Sequence, residues 1–330
     1  MTTRVLSEER VAALADDAAT APSLHNAQPW HFRYVQHSRA FDVRADLDRV
    51  LPHTDPDNRA LHLGCGAAVL NLRVAVAHAG WYPATRLLPD PGDPALLATV
   101  RLTGLGSGES DLGALYPAVH RRHTSRYPFA ETDIPGTVRS ALSDAARREG
   151  ATLDFPTAWH LKWVLELVEE GETRSRTDRG QAADLARWTR TDVTAGGATG
   201  EGVPEYAFGP RKRGGKAPVR DFAGTGQVPG RDAATFEASP HLALLSTSGD
   251  RPEDWLRAGQ AMERVLLLAT REGLSSAPAT QALEWPDLRW TLRDPVFGTG
   301  YVQMVLRLGY GPRGTATPRR PLAEVLDIEP

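Results

Sequence analysis

Two stretches of the chain, Leu63 to Ala79 and Ala258 to Glu272, are apolar nearly all round a helical wheel. Helices of that kind belong inside a core, and Gly80 and Gly273 supply their C-terminal stops. Around them the pattern switches between helix and strand periods. Ser7 can cap a first helix whose inner face is Val11, Leu14, Ala15 and Ala18. His31 to Val35, Phe41 to Ala45, Leu97 to Leu102, Leu242 to Ser246 and Tyr301 to Leu308 read as strands. Leu112 to Val119 reads as helix. Pro135 opens another, with Val138, Leu142 and Ala145 inward and Gly150 at its end. Trp159 to Arg190 is predicted helical with breaks near Gly171 and Gly180, and Pro321 starts a last short helix. Residues 195–232, rich in Gly, Pro and basic side chains, are predicted to be a long loop, of the kind that serves as a lid or stays disordered.

The two apolar helices align without a gap. CGAAVLNLRVAVAHAGW (65–81) and AGQAMERVLLLATREGL (258–274) share a glycine at the second position and end in Gly plus a large apolar residue. As a pattern, one buried helix per half, this argues for duplication. Taken by itself it leaves two unrelated core helices equally open.

The chain has 330 residues and 41% hydrophobic side chains, enough for a sizeable core. A formal net charge of -3 disfavours general nucleic-acid binding, which needs a dominant positive field. Cys65 is the one cysteine, so no intramolecular disulfide and no multi-cysteine metal site can form, which suits a reducing cytoplasm. The opening MTTRVLSEER has no apolar leader, and the most apolar run, Val69 to Ala79, is interrupted by Asn71, Arg73 and His78, so no membrane partner is expected. His53, Asp55, Asp57, His62 and Cys65 cluster as a metal-dependent hydrolase might require, but without the H-E-x-x-H spacing. A turn before the first apolar helix accounts for HTDPDNR more simply, and no metal site is expected.

Four segments carry candidate chemistry. APSLHNAQPW (21–30) is a polar turn whose Asn26 and Gln28 amides both donate and accept, as one edge of a planar heterocycle would need. RRHTSR (121–126) puts Arg122, Thr124 and Arg126 on one side of an extended segment, a set suited to phosphate oxygens. The tail GYGPRGTATPRRPLAEVL adds Arg319 and Arg320. GLSSAPATQ (273–281) can aim backbone N–H groups at a ligand. Each segment singly fits an ordinary turn or a solvated surface.

Their order and types resemble the nitroreductase family. APSLHNAQPW is similar to its PS-x-x-N-x-QPW loop, and RRHTSR to its R-x-S-x-R phosphate motif with threonine for serine. AGQAMERVLLLATREGL with SSAPATQ resembles its central helix and flavin-edge loop, and GYGP to PRRPLAEVL its ending. The likeness covers most of the chain outside 190–235. In the ordinary family the phosphate motif precedes the PS-x-x-N loop within one subunit, and FMN lies at a homodimer interface. Here the order is reversed, each half keeps what the other lacks, and one complete site can form. This resembles the Acg-like branch, single-chain pseudo-dimers with one flavin and a covering lid.

The resemblance implies an α+β, nitroreductase-like fold of two shortened related halves, 1–112 and 113–330, with mainly antiparallel sheets and central buried helices. It implies FMN held at its phosphate by Arg122, Thr124, Arg126 and one or both of Arg319 and Arg320. Pro22, Ser23, Asn26 and Gln28 would contact the isoalloxazine, with the turn Pro278, Ala279, Thr280 and Gln281 near the flavin N5 edge. It implies an NAD(P)H-dependent, ping-pong oxidoreductase acting on a small-molecule acceptor (a nitroaromatic, quinone or unsaturated carbonyl), with no catalytic side chain because the flavin carries the chemistry. A flavin-sequestering protein is the alternative. In that case the lid at 195–232 would cover the ring with Tyr206, Phe208 and Phe222, while Arg211, Lys212, Arg213, Lys216 and Arg220 grip phosphates or face solvent. A monomer with internal pseudo-twofold symmetry is expected, and a homodimer stays open.

Overall fold

Helix, strand, strand, helix, strand, strand is an order that occurs twice along the chain. The computed structural model describes residues 6–104, 111–191, 200–224, 226, 228–294, 298 and 300–330. The first pass is α1 (Glu8–Ala19), β1 (Trp30–Val35), β2 (Ala40–Ala45), α2 (Arg59–His78), β3 (Tyr82–Leu87) and β4 (Leu96–Thr103). A short α3 (Tyr116–Val119) leads to the second pass, which begins with α4 (Gly136–Arg148) and β5 (Thr152–Asp154). An insertion follows, comprising α5 (Ala158–Thr177), α6 (Arg179–Arg187) and two small parallel pairings. These are β6 (Thr189–Arg190) with β7 (Val203–Pro204), and β8 (Arg211–Gly214) with β9 (Ala233–Thr235). The pass resumes with β10 (His241–Thr247), α7 (Pro252–Arg271), β11 (Ser275–Ala279) and β12 (Tyr301–Gly309). After α8 (Pro286–Thr291), which lies between β11 and β12, the remaining elements are α9 (Leu322–Val325) and β13 (Leu326–Glu329).

The strand orders are β13-β1-β2-β4-β3 and β11-β12-β10-β5. Without β13, both sheets read first, second, fourth, third strand of their pass. All these pairings are antiparallel except β1 with β13. The C-terminal tail therefore leaves the second pass and completes the first sheet.

The two apolar helices meet at the glycines that the alignment pairs. A Cβ on Gly66 would collide with the Leu256 carbonyl oxygen, and one on Gly259 with the Leu63 carbonyl oxygen. Only glycine lets the two backbones approach so closely. Leu63, Val69, Leu70, Val74, Val265 and Leu267 are buried around this crossing, each worth about 1.5–3 kcal/mol of transfer free energy. By length and composition α2 could cross a bilayer, although 83% of its most apolar window is buried inside the protein. The sequence reading of Val69 to Ala79 as too interrupted understated how apolar the whole helix is.

Three further expectations change. Helix α5 runs unbroken past Gly171, whose missing Cβ admits the Gln281 backbone. The break expected near Gly180 is present, at Asp178, whose side chain caps α6 by accepting from the Gln181 N–H at 2.8 Å. The stretch 195–232 is not one long loop where it is described: it carries β7, a 3-10 turn at Glu205–Ala207, and β8. Within it, 195–199, 225 and 227 lie outside the described residues. Strands β3, β5, β11 and β13 were not anticipated, and GLSSAPATQ is mostly strand.

Candidate functional site

The loop after α1 is held in a costly backbone shape. His25, Asn26 and Gln28 have φ of 51°, 56° and 52°, the left-handed region that costs a non-glycine residue about 1–2 kcal/mol. The Ser23 hydroxyl accepts from the Gln28 N–H at 2.9 Å and closes the loop on itself. Distant segments fix the rest. Asn26 Nδ2 donates to the carbonyls of Gly202 (2.9 Å) and Pro318 (3.0 Å). Gln28 Nε2 donates to the Gly200 carbonyl at 2.6 Å, while its Oε1 accepts from the Arg320 N–H at 2.9 Å. Such over-determined strain is characteristic of binding sites.

Beside this loop, two guanidiniums converge on the C-terminal end of α1. Arg319 donates to the carbonyls of Ala19 (2.8 Å), Thr20 (2.7 Å) and Ala21 (3.2 Å), and to Asn26 Oδ1 at 3.1 Å. Arg122 donates to the same Thr20 carbonyl at 3.0 Å. Cations at a helix C-terminus satisfy orphan carbonyls and complement the dipole. Behind them lies Glu263 of α7, fully buried, with its Oε1 3.2 Å from Arg122 Nε. Burial pushes its carboxyl up to about 7 against the opposing pull of Arg122. Burial also lowers Arg319 to about 9, and burial together with Arg122 and Arg319 lowers His123 to about 4.

On the other side of the loop a cavity opens. Pro22, Ser23 and His25 form one wall, Thr124 and Arg126 the facing one, and Leu63, Gly64 and Met262 line it between the central helices. Pro278, Thr280, Gln281 and Glu284 close one end, and Pro218 to Arg220 with Phe222 lie along it. The cavity itself is about 110 Å³, and the space counted out to its mouth, open solvent included, is about 1010 Å³. Four buried polar atoms of lining residues have no protein partner: His25 Nε2, Gln281 Oε1, Glu284 Oε2 and Arg307 Nη1. Burial, with the cations Arg220 and Arg126, drives His25 well below the usual histidine range, so it is uncharged. Burial likewise lowers Arg126 to about 10.

Of the residues singled out from sequence, Pro22, Ser23, Thr124, Arg126, Pro278, Thr280 and Gln281 line this cavity. The others do not. Asn26 and Gln28 spend their amides on the 200–202 segment and the tail, and Arg122 and Arg319 are engaged with Thr20 and Glu263. The Arg320 side chain reaches Asp46 at 3.0 Å. Ala279 pairs with Val305 inside the sheet and is buried away from the cavity. Asn26 and Arg122 nonetheless remain linked, through Arg319 and the Thr20 carbonyl.

Several lining residues gave no usable sequence signal. Arg59, which donates to the Gln303 carbonyl at 2.6 Å, follows the acidic turn that was weighed for metal. In that turn Asp55 accepts from the N–H groups of Ala60 and Leu61, both at 2.9 Å, and caps α2. Glu284 forms a buried ion pair with Arg220 at 2.6 Å. His25 stands inside the motif already quoted.

A profile of the nitroreductase family matches residues 119–310. A Mycobacterium tuberculosis protein provisionally named an NAD(P)H nitroreductase is 33% identical over 332 residues, covering 99% of this chain and 94% of that protein. A second, provisionally named NAD(P)H nitroreductase acg, from the same organism, is 29% identical over 316 residues, covering 94% and 93%. Among solved structures, a nitroreductase with bound FMN from Bacteroides fragilis aligns over 63% of this chain and 93% of its own, at 14% identity and a TM-score of 0.34. A family profile spanning more than half the chain and a relative matched over nearly its full length agree with the motifs at 21–30 and 121–126: the chain belongs to the nitroreductase family.

Proposed function

We propose that the chain binds one FMN in the cavity between Pro22–His25 and Thr124–Arg126 and works as an NAD(P)H-dependent oxidoreductase. Its acceptors are small nitroaromatics, quinones or unsaturated carbonyl compounds, and turnover is ping-pong. The observation that carries this reading is that cavity: its facing walls come from the two motifs, about a hundred residues apart, that the family resemblance assigns to a single flavin. The donor set suits the group. Unpartnered acceptors at Gln281 and Glu284, a donor at Arg307 and an uncharged imidazole at His25 offer the mixed edge that an isoalloxazine requires. When bound, the flavin would supply hydride transfer through its N5.

The chain's own residues would bind and shield. Pro22, Ser23 and His25 would flank the ring from the first half (1–112), and Thr124 and Arg126 from the second (113–330) would reach toward the phosphate. Pro278, Thr280 and Gln281 would border the N5 edge. Arg122 and Arg319 would turn their guanidiniums to the phosphate. With both motif walls supplied by one chain, no partner subunit is needed to complete the cavity, and we propose a monomer of two related halves acting in the cytoplasm.

A second reading is supported by the insertion. Arg220 bridges to Glu284 in the cavity wall, and the Phe222 ring stands 4.7 Å from the Arg126 guanidinium and 5.7 Å from the His25 ring. A lid seated there would sequester the flavin and keep nicotinamide out. Mixing the flavin-loaded chain with NADPH or NADH without oxygen separates the two. Rapid bleaching supports the oxidoreductase. Bleaching by dithionite and by neither nicotinamide overturns it in favour of sequestration.

A further inference from the structure

Glu263 is an unusual neighbour for a phosphate-motif arginine. Its carboxylate is 0% exposed, and neither oxygen has a hydrogen-bond partner meeting geometric criteria. The charged groups facing it are Arg122, from the segment after α3, and Arg319, from the tail. From α2 the nearest polar group is the Asn71 amide. Arg122 Nε, 3.2 Å away, is likewise without a well-formed hydrogen bond. The pair is therefore held chiefly by charge, with the Asn71 amide beside it, in a place where an unpaired carboxylate is expensive.

The corresponding place in the second pass is filled differently. Thr20 and Glu149 are the C-cap residues of α1 and α4, and Asn71 and Arg264 occupy aligned positions on α2 and α7. Asn71 donates to the Thr20 hydroxyl at 3.0 Å, whereas Arg264 stands 3.3 Å from the Glu149 carboxylate. Arg73 joins that second cluster and donates to Glu149 and to Gln260, at 2.5 and 2.8 Å. There the carboxylate has dedicated cations on both central helices. At Glu263 the facing cations are the two that the proposed phosphate site requires.

We propose that Glu263 is the resident counter-ion of Arg122, displaced when a phosphate monoester arrives, and that binding the ester transfers a proton from solvent to Glu263. This rests on the reading that Arg122 and Arg319 receive the FMN phosphate. Once Arg122 turns to the ester, Glu263 loses the cation that favours its ionised form, and in a fully buried site the neutral acid is then preferred. The ester keeps its two negative charges, Glu263 gains one proton, and no bond to carbon or phosphorus changes. Glu263 thus acts as a positioning residue, holding the guanidinium in place and yielding it to a dianion.

The test is titration of the flavin-free full chain with FMN by calorimetry at about pH 8, in buffers of different ionisation enthalpy, with riboflavin as the phosphate-free probe. At that pH the ester is already dianionic, its second pKa being about 6, so it contributes no proton of its own. Wild type is expected to take up a substantial fraction of one proton with FMN and none with riboflavin. The FMN Kd should rise with pH above about 7, the value to which burial lifts this carboxyl, with a slope approaching about tenfold per pH unit. Glu263→Gln keeps the shape but cannot ionise, so its Kd should stay flat over that range. His123 also titrates nearby, and uptake that persists in Glu263→Gln would assign the proton elsewhere and overturn the proposal. Equal proton uptake with FMN and riboflavin on the wild-type chain would overturn it without any variant. If wild type binds neither FMN nor riboflavin, the flavin reading itself falls, and this proposal with it.

Discussion

Phe222→Ala removes a ring that touches three groups around the cavity. The Arg126 guanidinium lies 4.7 Å from its centroid, the His25 ring 5.7 Å away edge-on, and the Phe208 ring 6.0 Å away. A cation–π contact is worth about 0.5–2 kcal/mol and each aromatic pair about 0.5–1.5 kcal/mol. Phe208 belongs to the same 203–224 segment, so the Arg126 and His25 contacts are the ones that hold it down, by about 1–3.5 kcal/mol, or about 5- to 300-fold in the equilibrium between seated and lifted segment. The Arg220–Glu284 pair stays, so the segment is loosened without being released. If access past this segment limits reduction, anaerobic bleaching of the flavin-loaded variant by NADPH, followed by stopped flow, should be faster than wild type by a factor in that range. Hydrogen exchange over 203–224 reports independently whether the segment has loosened. Faster exchange with an unchanged bleaching rate would refute the idea that Phe222 guards the cavity.

Other outcomes follow from the same contacts. Arg126→Ala deletes a buried cation whose protein bond is to the Ala207 carbonyl at 2.9 Å; FMN should dissociate about 10- to 150-fold more readily, a loss of about 1.5–3 kcal/mol, read by flavin fluorescence. Glu263 has its carboxyl raised from 4.5 to about 7 on folding. Its contribution to stability is therefore full below pH 4.5 and is lost as pH rises through 7, so wild type should lose roughly 3 kcal/mol relative to Glu263→Gln across that window in urea unfolding of the flavin-free chains. Gly259→Ala sets a methyl against the Leu63 backbone and should destabilise by about 1–3 kcal/mol or more, whereas Ala on the α7 surface at Glu253 should be near neutral in the same denaturation assay.

α2 was legible because burial on every side leaves a sequence with little polar face; α7 was legible from its apolar run, although it also buries Gln260, Glu263 and Arg264. The glycines at 66 and 259 were visible as an aligned pair, but that they face each other is a fact of packing. Strands such as β3, with the sequence YPATRL, and β11, with SSAPA, escape because proline, serine and alanine carry little strand signal when pairing partners supply the order. Gly171 was misread as a break, because sequence does not reveal whether a glycine ends a helix or admits a neighbour. Residue types in APSLHNAQPW and RRHTSR pointed to the family and to two segments that line one cavity. What each side chain touches was not readable. The partners of Asn26 lie 176 and 292 positions away, at Gly202 and Pro318, and no local pattern announces them. His25 and Glu263 were passed over for a related reason: a single histidine in a turn and a single glutamate in an apolar helix are ordinary until their surroundings are known.

The claim on which the rest depends is that two half-sites in one chain make one flavin site. The direct measurement is the number of FMN molecules bound per chain at saturation, from flavin absorbance after separation of free ligand. One per chain is the predicted result; none, or two, would contradict the account.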